Sequence, residues 1–595
     1  MSKPIGAVSI PINQPLAYVP KEQARPAQDP AGPATAQVGT DSVRQSASEP
    51  LPQAVRQRSE SGAPLSGVRA APADAALGAE LLGQLADDSE PTVEDETLPL
   101  PPFSKDNRLS DQDCRDFLQT QVNAARHLAP AGDFSALQAR LDSFQMPTNG
   151  HGKVDSQALK HDIKAFTAEV KQVLKNLDPE LAARLEPARH ELLAQKDIWS
   201  TGYAKADSVG WNQFTPLAAL PHVREASGLE ARTCHAHTTE QPINAWKTSY
   251  GAAESQPQAT FYRNGTFAPQ PSKLGEKWSH DDKQTVANAR AQTLVKSLIA
   301  DFIASHPGQK VDHFTFSNLN LMSRFNGEPK LTAIHHAALQ SLNGRSFSVT
   351  VNGQDHEVQV DVRAWRQDIK DASYLGTNKE MRAQNRSALQ SLDQAITRLS
   401  SGGKVPASQL RDMEKLRATI GRQLELQEVK GLTRLFEKVA RGIANLAGGE
   451  RSSPRMDPSE VSALIIALES KIAEHEPGAV SEGCKSGKDR GSIVDASAKA
   501  LLHEMAEHGG RVPDHVLRPG WMLAKAKEDV AFRNDLHDIF LGNYELQKAN
   551  TGFKGYITKD LKVAVVGGEN YIDRLANLVF DDKKAIKAGS GMIKS

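Results

Sequence analysis

Apolar residues recur at three- and four-residue spacings over Asp113–Leu128, Phe134–Phe144, Gln157–Leu174 and Leu181–Leu193, which predicts amphipathic helices and a helical domain from about 105 to 200. Trp199 to Trp278 is rich in Gly, Pro and aromatic residues and predicts loops with short strands. Lys283 to Ser305 returns to helical spacing and is stopped by Pro307-Gly308. Alternation then takes over. Val311–Phe316 predicts a strand, and Phe347–Val351 and Val358–Val362 flank Asn352-Gly353, a pair suited to a hairpin turn. Long helices are expected from about Lys379 to Leu399 and Gln409 to Ala447, divided by Ser400-Ser401-Gly402-Gly403. No internal repeat is visible.

The first hundred residues differ. Met1 to about Leu100 is rich in Pro, Ser, Gln, Ala and Gly without apolar periodicity, so too little apolar surface is available to offset the entropy of ordering. This segment is expected to be disordered, and the acidic run from Asp87 to Glu96 is read as a solvated linker. The expected architecture is α+β and mostly helical. It has a disordered tail over 1–104, a helical domain over 105–200, and an α/β core over 201–595 with a helical insertion at about 377–450.

Charge and cysteine content narrow the setting. The net charge of the 595 residues is -1, so no global excess draws the chain to nucleic acid or to an anionic membrane. No apolar run is long enough to cross a bilayer, and the residues after Met1 lack the basic-then-apolar pattern of a cleaved secretory signal. The three cysteines, Cys114, Cys234 and Cys484, are far apart and odd in number, which argues against a disulfide framework. They suit a reducing compartment in which a thiol stays available as a nucleophile.

The chemistry is concentrated after Asp457. Asp457-Pro458-Ser459-Glu460 has the composition of a helix start, and Val461, Leu464, Ile465, Leu468 and Ile472 share one face. Pro477-Gly478 ends that helix. The short apolar pair Ala479-Val480 leads through Gly483 into Cys484-Lys485-Ser486-Gly487-Lys488-Asp489-Arg490, and helical spacing resumes at Ser492. A strand, a glycine-containing loop and a helix in that order form a phosphate cradle. A loop of this length can wrap a tetrahedral phosphate and aim successive backbone N–H groups at its oxygens, and the same dipoles favour thiolate over thiol. On this reading Cys484 attacks phosphorus and carries the phosphoryl group as a phosphocysteine, and Arg490 grips two equatorial oxygens. Gly487 lets the backbone turn and approach closely. Lys485 and Lys488 add two positive charges, more than a singly phosphorylated protein side chain requires, and they suit a polyanionic head group such as an inositol phosphate. No metal or other cofactor is called for, since Arg490 and the backbone dipoles supply the positive charge.

This loop resembles that of the type III secreted inositol-phosphate phosphatases of the SopB/IpgD kind, which read CKSGKDRT here, and is similar to that of the eukaryotic inositol polyphosphate 4-phosphatases. Gly542-Asn543-Tyr544-Glu545-Leu546-Gln547-Lys548-Ala549-Asn550-Thr551-Gly552 resembles the family's GN-EIQK-NTG segment. The resemblance covers Asp457 to about Ile557 and is weak over 200–450. It implies an effector delivered by type III secretion into a host cell, acting in host cytoplasm and at the membrane periphery on phosphoinositide lipids. It also implies a secretion chaperone bound behind the export signal and, in some relatives, a Rho-family GTPase bound by the amino-terminal helices. Carried over, Cys484 is the nucleophile and Arg490 binds phosphate. Lys485 and Lys488 contact inositol phosphates, with Ser486 and Gly487 completing the cradle, and Asp489 protonates the leaving oxygen. Two departures are visible. The relatives' Thr after the arginine is Gly491 here, followed by Ser492, which could stand in for its hydroxyl. Their upstream NFGVNE-type motif is not evident, the nearest candidate region being Val362 to Ser373.

Other residues have simpler readings. Asp489 could instead pair with a loop lysine, and Asp368 and Asp371 are alternative acids from a separate loop. Cys234-His235-Ala236-His237, with His222 nearby, matches no standard zinc spacing and reads as a polar loop. His335-His336 reads as helix surface, and Cys114 as an inert helix cysteine. Asn550-Thr551-Gly552, with Lys548 and Lys554, either seats a head group or forms a turn. The competing class of function is a non-enzymatic effector that binds phosphoinositides and a host GTPase. A protein-tyrosine phosphatase is disfavoured by the two loop lysines.

Overall fold

The computed structural model describes residues 111–150, 155–195, 212–250, 259–323, 328–369, 379–428, 455–487, 489–536 and 539. The chain divides into two units, Met1–Ala75 and Ala76–Ser595, and every described residue belongs to the second. The expected tail over 1–104, the helix beyond 428, Asp371, and the 542–552 segment lie outside the described residues.

The first four helices are α1 (Asp111–Leu128), α2 (Ser135–Asp142), α3 (Ser156–Leu177) and α4 (Leu181–Gln195). Asp155 caps α3 by accepting from the N–H groups of Gln157 and Ala158 at 3.0 and 3.1 Å. Their apolar stripes meet in a core of their own, where Cys114, Phe117, Leu118, Ile163, Phe166 and Val170 are buried. Cys114 is therefore a packing residue.

The remaining described elements build one seven-stranded mixed sheet with helices on both faces. In chain order they are β1 (Asn212–Pro216), α5 (Pro221–Ser227), β2 (Trp246–Tyr250), β3 (Ala259–Gly265), α6 (His280–Ser305), β4 (His313–Asn320), α7 (Glu328–Gln340), β5 (Arg345–Val351) and β6 (Gln354–Arg366). They continue with α8 (Lys379–Ser401), α9 (Ala407–Glu428), α10 (Pro458–Ala473), β7 (Gly478–Cys484), α11 (Asp489–Glu507) and α12 (Trp521–Glu528). The strand order is β1-β2-β3-β7-β4-β6-β5. β7 is parallel to both neighbours, with Gly265 opposite Cys484 on one side and Asn320 opposite Gly483 on the other.

Alternation along the strands separates two cores. Phe261, Leu319, Trp365, Val480 and Cys484 face α8–α12, whereas Tyr262, Phe314, Phe316, Val360 and Ala479 face α5, α6 and α7. Helices α8 and α9 share the first core with α10 and α11, so they form part of one sheet-covering layer. The helix start expected at Asp457 is present, and a second capping box, not anticipated from the sequence, opens α6. Asp457 and Glu460 close a capping box on α10, and Ser279 and Asp282 close one on α6. The hairpin turn holds Asn352 and Gly353 at φ of 52° and 76°, between the paired Val351 and Gln354.

One reading is corrected. His335 is not on the surface but fully buried. Its Nδ1 accepts from Phe267 N–H at 3.1 Å, and its Nε2 lies 3.0 Å from Asn318 Oδ1. No helix among the described residues is long and apolar enough to cross a membrane.

Ile465 is fully buried in the layer that supports β7. Ile465→Ala should lower unfolding free energy by about 2–5 kcal/mol through lost burial and a residual cavity, measured by the urea midpoint.

Candidate active site

Cys484 is the last residue of β7, 3% exposed, with its side chain on the α10/α11 side of the sheet. Connections diverge around it. β7 runs into α11 on one face, whereas β3 and β4 lead to α6 and α7 on the other. Such a switch opens a crevice at the carboxyl ends of parallel strands, the usual place for a ligand in this kind of sheet.

The loop after Cys484 is anchored by its carbonyls. Thr266 N–H donates to Lys485 O at 3.4 Å, Asn244 Nδ2 to Ser486 O at 2.5 Å, and Arg263 Nη2 to Gly487 O at 3.1 Å. A trans peptide carries its C=O and the following N–H on opposite sides. The N–H groups of Ser486 and Gly487 therefore turn away from those anchors, and neither has a hydrogen-bond partner among the described residues. Gly487 has φ +67°, and a Cβ there would stand 2.9 Å from the backbone of Asn264 and Gly265. The close approach and the left-handed turn both require glycine. Lys485 and Ser486 are half-buried. Lys488 lies outside the described residues, and Asp489 opens α11 with its side chain undescribed.

Arg490 is 7% exposed in the first turn of α11. Its Nη1 donates to Glu328 Oε2 at 2.8 Å and to Leu321 O at 2.9 Å, and its Nη2 donates to Glu328 Oε1 at 2.6 Å. Burial opposes its charge, but Glu328 overrides burial and, with Cys484 and Asp368 near, raises the guanidinium above its ordinary value. Asp368 is buried just beyond the carboxyl end of β6, with Ser323 Oγ 3.5 Å from its Oδ2.

A second layer of charge lies beneath the loop. Arg263, which ties down Gly487 O, also donates from Nη2 to Ser492 Oγ at 3.1 Å and stands 3.5 Å from Glu482 Oε1. Ser492 thus sits under the loop, tied to Arg263. Asp495 accepts from Thr248 Oγ1 at 2.7 Å and pairs with Lys499 at 3.5 Å. Burial pushes the Glu482 carboxyl well above its usual range, Arg263 offsets part of this, and Asp495 and Cys484 add to it. Burial lowers the Lys499 ammonium to about 8, although Asp495 opposes the shift. Position 491 faces this layer. A Cβ there would stand 3.3 Å from Arg263 Nη2 and 3.4 Å from Glu482 Oε1, so glycine leaves room for that pair.

Sequence reasoning missed Glu328, Arg263 and Asn244. Each reaches the loop from a segment more than 150 residues away, and nothing local marks any of them as near a thiol. Of the region expected to stand nearest that upstream motif, Val362 to Arg366 ends β6, one strand further from Cys484 than β4, and 370–373 lie outside the described residues.

The Cys234–His237 segment is corrected from a polar loop to a buried one. His235 and His237 form a ring cluster with His190 of α4, with centroids 4.9, 5.2 and 6.1 Å apart. Arg290 Nη2 holds the segment by donating to Ala236 O at 2.9 Å. Among the described residues no group of three or more His, Cys, Asp or Glu side chains could hold a metal ion. His222 stands apart, 3.2 Å from Asp301 Oδ1. A cavity of about 400 Å3, lined by Tyr250, Lys471, Glu474 and Arg511 among others, opens at the amino end of β7, away from the loop.

No family model matches the chain, and no curated protein matches it. Among solved structures it aligns with SidF, a Legionella phosphoinositide phosphatase, at 11% identity over 82% of this chain and 91% of that one, with a TM-score of 0.48. It aligns with a second Legionella phosphoinositide phosphatase structure at 10% identity over 83% and 92%, with a TM-score of 0.49. A third such structure aligns at 13% identity over 87% of this chain and 59% of that one, with a TM-score of 0.37. At these scores and identities the alignments assign neither residues nor activity to this chain.

Gly487→Ala should cost about 1–3 kcal/mol of stability through the left-handed backbone and the contact with Asn264, read from the urea midpoint. A pH effect is also expected. Burial holds His190 at about 4 and His237 at about 3, with Arg189 and His190 respectively the next causes. Their folded values lie below the unfolded value of 6.5, so their contribution is complete above that pH and is lost as pH falls toward 4. The urea midpoint should drop between pH 7.5 and pH 5, and His237→Gln should shrink the drop.

Proposed function

We propose that the chain is a cysteine-dependent phosphoinositide phosphatase. The observation that carries this reading is the loop after Cys484. Its carbonyls are tied to Thr266, Asn244 and Arg263, so the N–H groups of Ser486 and Gly487 turn away from those anchors, in the loop that joins Cys484 to the buried Arg490. Such an array stabilises an anion that gains charge during reaction.

Catalysis then proceeds in two displacements. Cys484 sulfur forms a bond to phosphorus as the bond from phosphorus to the inositol oxygen breaks, and that oxygen takes a proton from a carboxylic acid. Water next attacks phosphorus, the S–P bond breaks, inorganic phosphate leaves, and the water proton returns to the carboxylate. Asp489, first in α11, is the acid by resemblance, and Asp368 is a second candidate because its charge acts on Arg490. Lys485 and Lys488 provide the charge for further phosphates on the ring.

The wider setting rests on the resemblance to the SopB/IpgD kind. It comprises type III secretion into a host cell, action at the membrane periphery, a secretion chaperone, and a Rho-family GTPase held by the helices of 105–200. A second reading follows from the 3% exposure of Cys484, in which the loop binds the head group without turnover.

The test is phosphate release from phosphatidylcholine vesicles carrying phosphatidylinositol bisphosphates. Wild type should release phosphate, Cys484→Ser none, and Arg490→Ala should lose about 100- to 1,000-fold in kcat. No release from wild type, with vesicle binding kept, would establish the second reading. Turnover of a phosphotyrosine peptide without inositide turnover would sink both.

A further inference from the structure

We infer that Glu482 is a positioning residue for the nucleophile, because it and the Cys484 thiol share the one negative charge that Arg263 can balance beneath the loop. The inference rests on the phosphatase reading above only for its effect on turnover.

Glu482 and Cys484 are two positions apart on β7, so their side chains leave the same face of the sheet. Arg263 stands opposite Glu482 on β3, with Nε 3.5 Å from Glu482 Oε1 and Nη1 4.0 Å from Asp495 Oδ2. Asp495 and Lys499 reach the same layer from α11, one turn apart and 3.5 Å from each other. None of these four side chains is more than 1% exposed. The other elements around them bring no further charge to match. On β4, Leu319 lies opposite Glu482, and the ring of Phe214 on β1 covers Lys499. The buried ionisable groups of α10 are engaged elsewhere, Glu460 in its own cap, Glu469 with Arg363 and Lys471 with Gly510 O. Arg490 is balanced by Glu328.

Two cations, Arg263 and Lys499, therefore face three acids among the described residues, namely Asp495, Glu482 and Cys484. A layer shut off from water holds unmatched charge only at high cost, so two of the three acids ionise together. Asp495 is the best supplied, since it accepts from Thr248 Oγ1 at 2.7 Å and pairs with Lys499. Neither oxygen of Glu482 has a hydrogen-bond partner among the described residues. The second charge thus passes between Glu482 and Cys484. A proton leaving the sulfur is matched by one taken up by the carboxylate, and the net charge of the layer stays the same. Burial pushes the Glu482 carboxyl well above its usual range and Arg263 opposes the shift, while Asp495 and Cys484 add to it, in keeping with that competition.

The pH dependence of Cys484 alkylation by iodoacetamide would be followed in full-length wild type, Glu482→Gln, Lys499→Met and the double variant. The modified peptide would be identified by mass, because Cys114 and Cys234 are also free thiols. Phosphate release from the vesicles described above and thermal melting would be recorded over the same pH range. Removing the competing acid should move the midpoint of alkylation, and the acid limb of release, down by about 1–2 pH units, and removing a cation should move both up by about as much. The double variant has one acid and one cation fewer and should return to within about 0.5 unit of wild type. A merely structural role alters rates and melting but leaves the midpoints in place. A Glu482→Gln midpoint within about 0.3 unit of wild type would overturn the inference, as would a downward shift in Lys499→Met. Where Glu482→Gln does not fold, the upward shift in Lys499→Met carries the test, and its absence overturns the inference. Shifts as expected without phosphate release from wild type would support the inference and overturn the phosphatase reading.

Discussion

A strand buried at the centre of a sheet must satisfy its hydrogen bonds on both edges and its side chains on both faces, and β7 does so only because β3 and β4 leave a space one strand wide between them. All seven of its residues are buried. Because β7 is parallel to both neighbours, its carboxyl end emerges beside Gly265 and Asn320. The segments that follow those two residues become the walls around Cys484. The loop from Lys485 to Gly487 takes its shape from this insertion, since each of its anchors comes from the β2–β3 side.

The same insertion carries charge into the interior. Arg263 joins three parts that would otherwise be independent, namely the Gly487 carbonyl, the Ser492 hydroxyl at the start of α11, and the Glu482 carboxyl on β7. Taking one member from such a buried set leaves the others uncompensated, which costs more than the pair contributes when intact. Burial also pushes the Glu482 carboxyl well above its usual range, with Arg263 opposing the shift and Asp495 and Cys484 adding to it. Gly491 belongs to this arrangement, because a side chain there would enter the space used by Arg263 and Glu482.

Two ends of one strand have different characters. The carboxyl end converges donors and a thiol, with a carboxylate holding an arginine in place. The amino end opens into a cavity whose cations are already engaged, Lys471 by Gly510 O at 3.2 Å and Arg511 by Asp412 at 2.7 Å.

Helix starts and stops, the Asn352-Gly353 turn, and the thiol, glycine and arginine of the Cys484–Arg490 run were legible in the sequence, because each depends on neighbours within about four to six positions. β7 was visible only as Ala479-Val480, since Gly478, Ser481, Glu482 and Gly483 lack the apolar run that marks a central strand; their burial is offset by partners in other segments. Glu328, Arg263, Asn244 and the burial of His335 and His237 could not be read locally, because each follows from strand order, and strand order is settled by which edges and faces pair across hundreds of residues. The sequence by itself determined that a thiol, a glycine and an arginine stand within seven positions of one another. The tertiary structure alone decided which carboxylate holds the arginine and which way the loop amides turn, because those bonds join positions that only packing brings together.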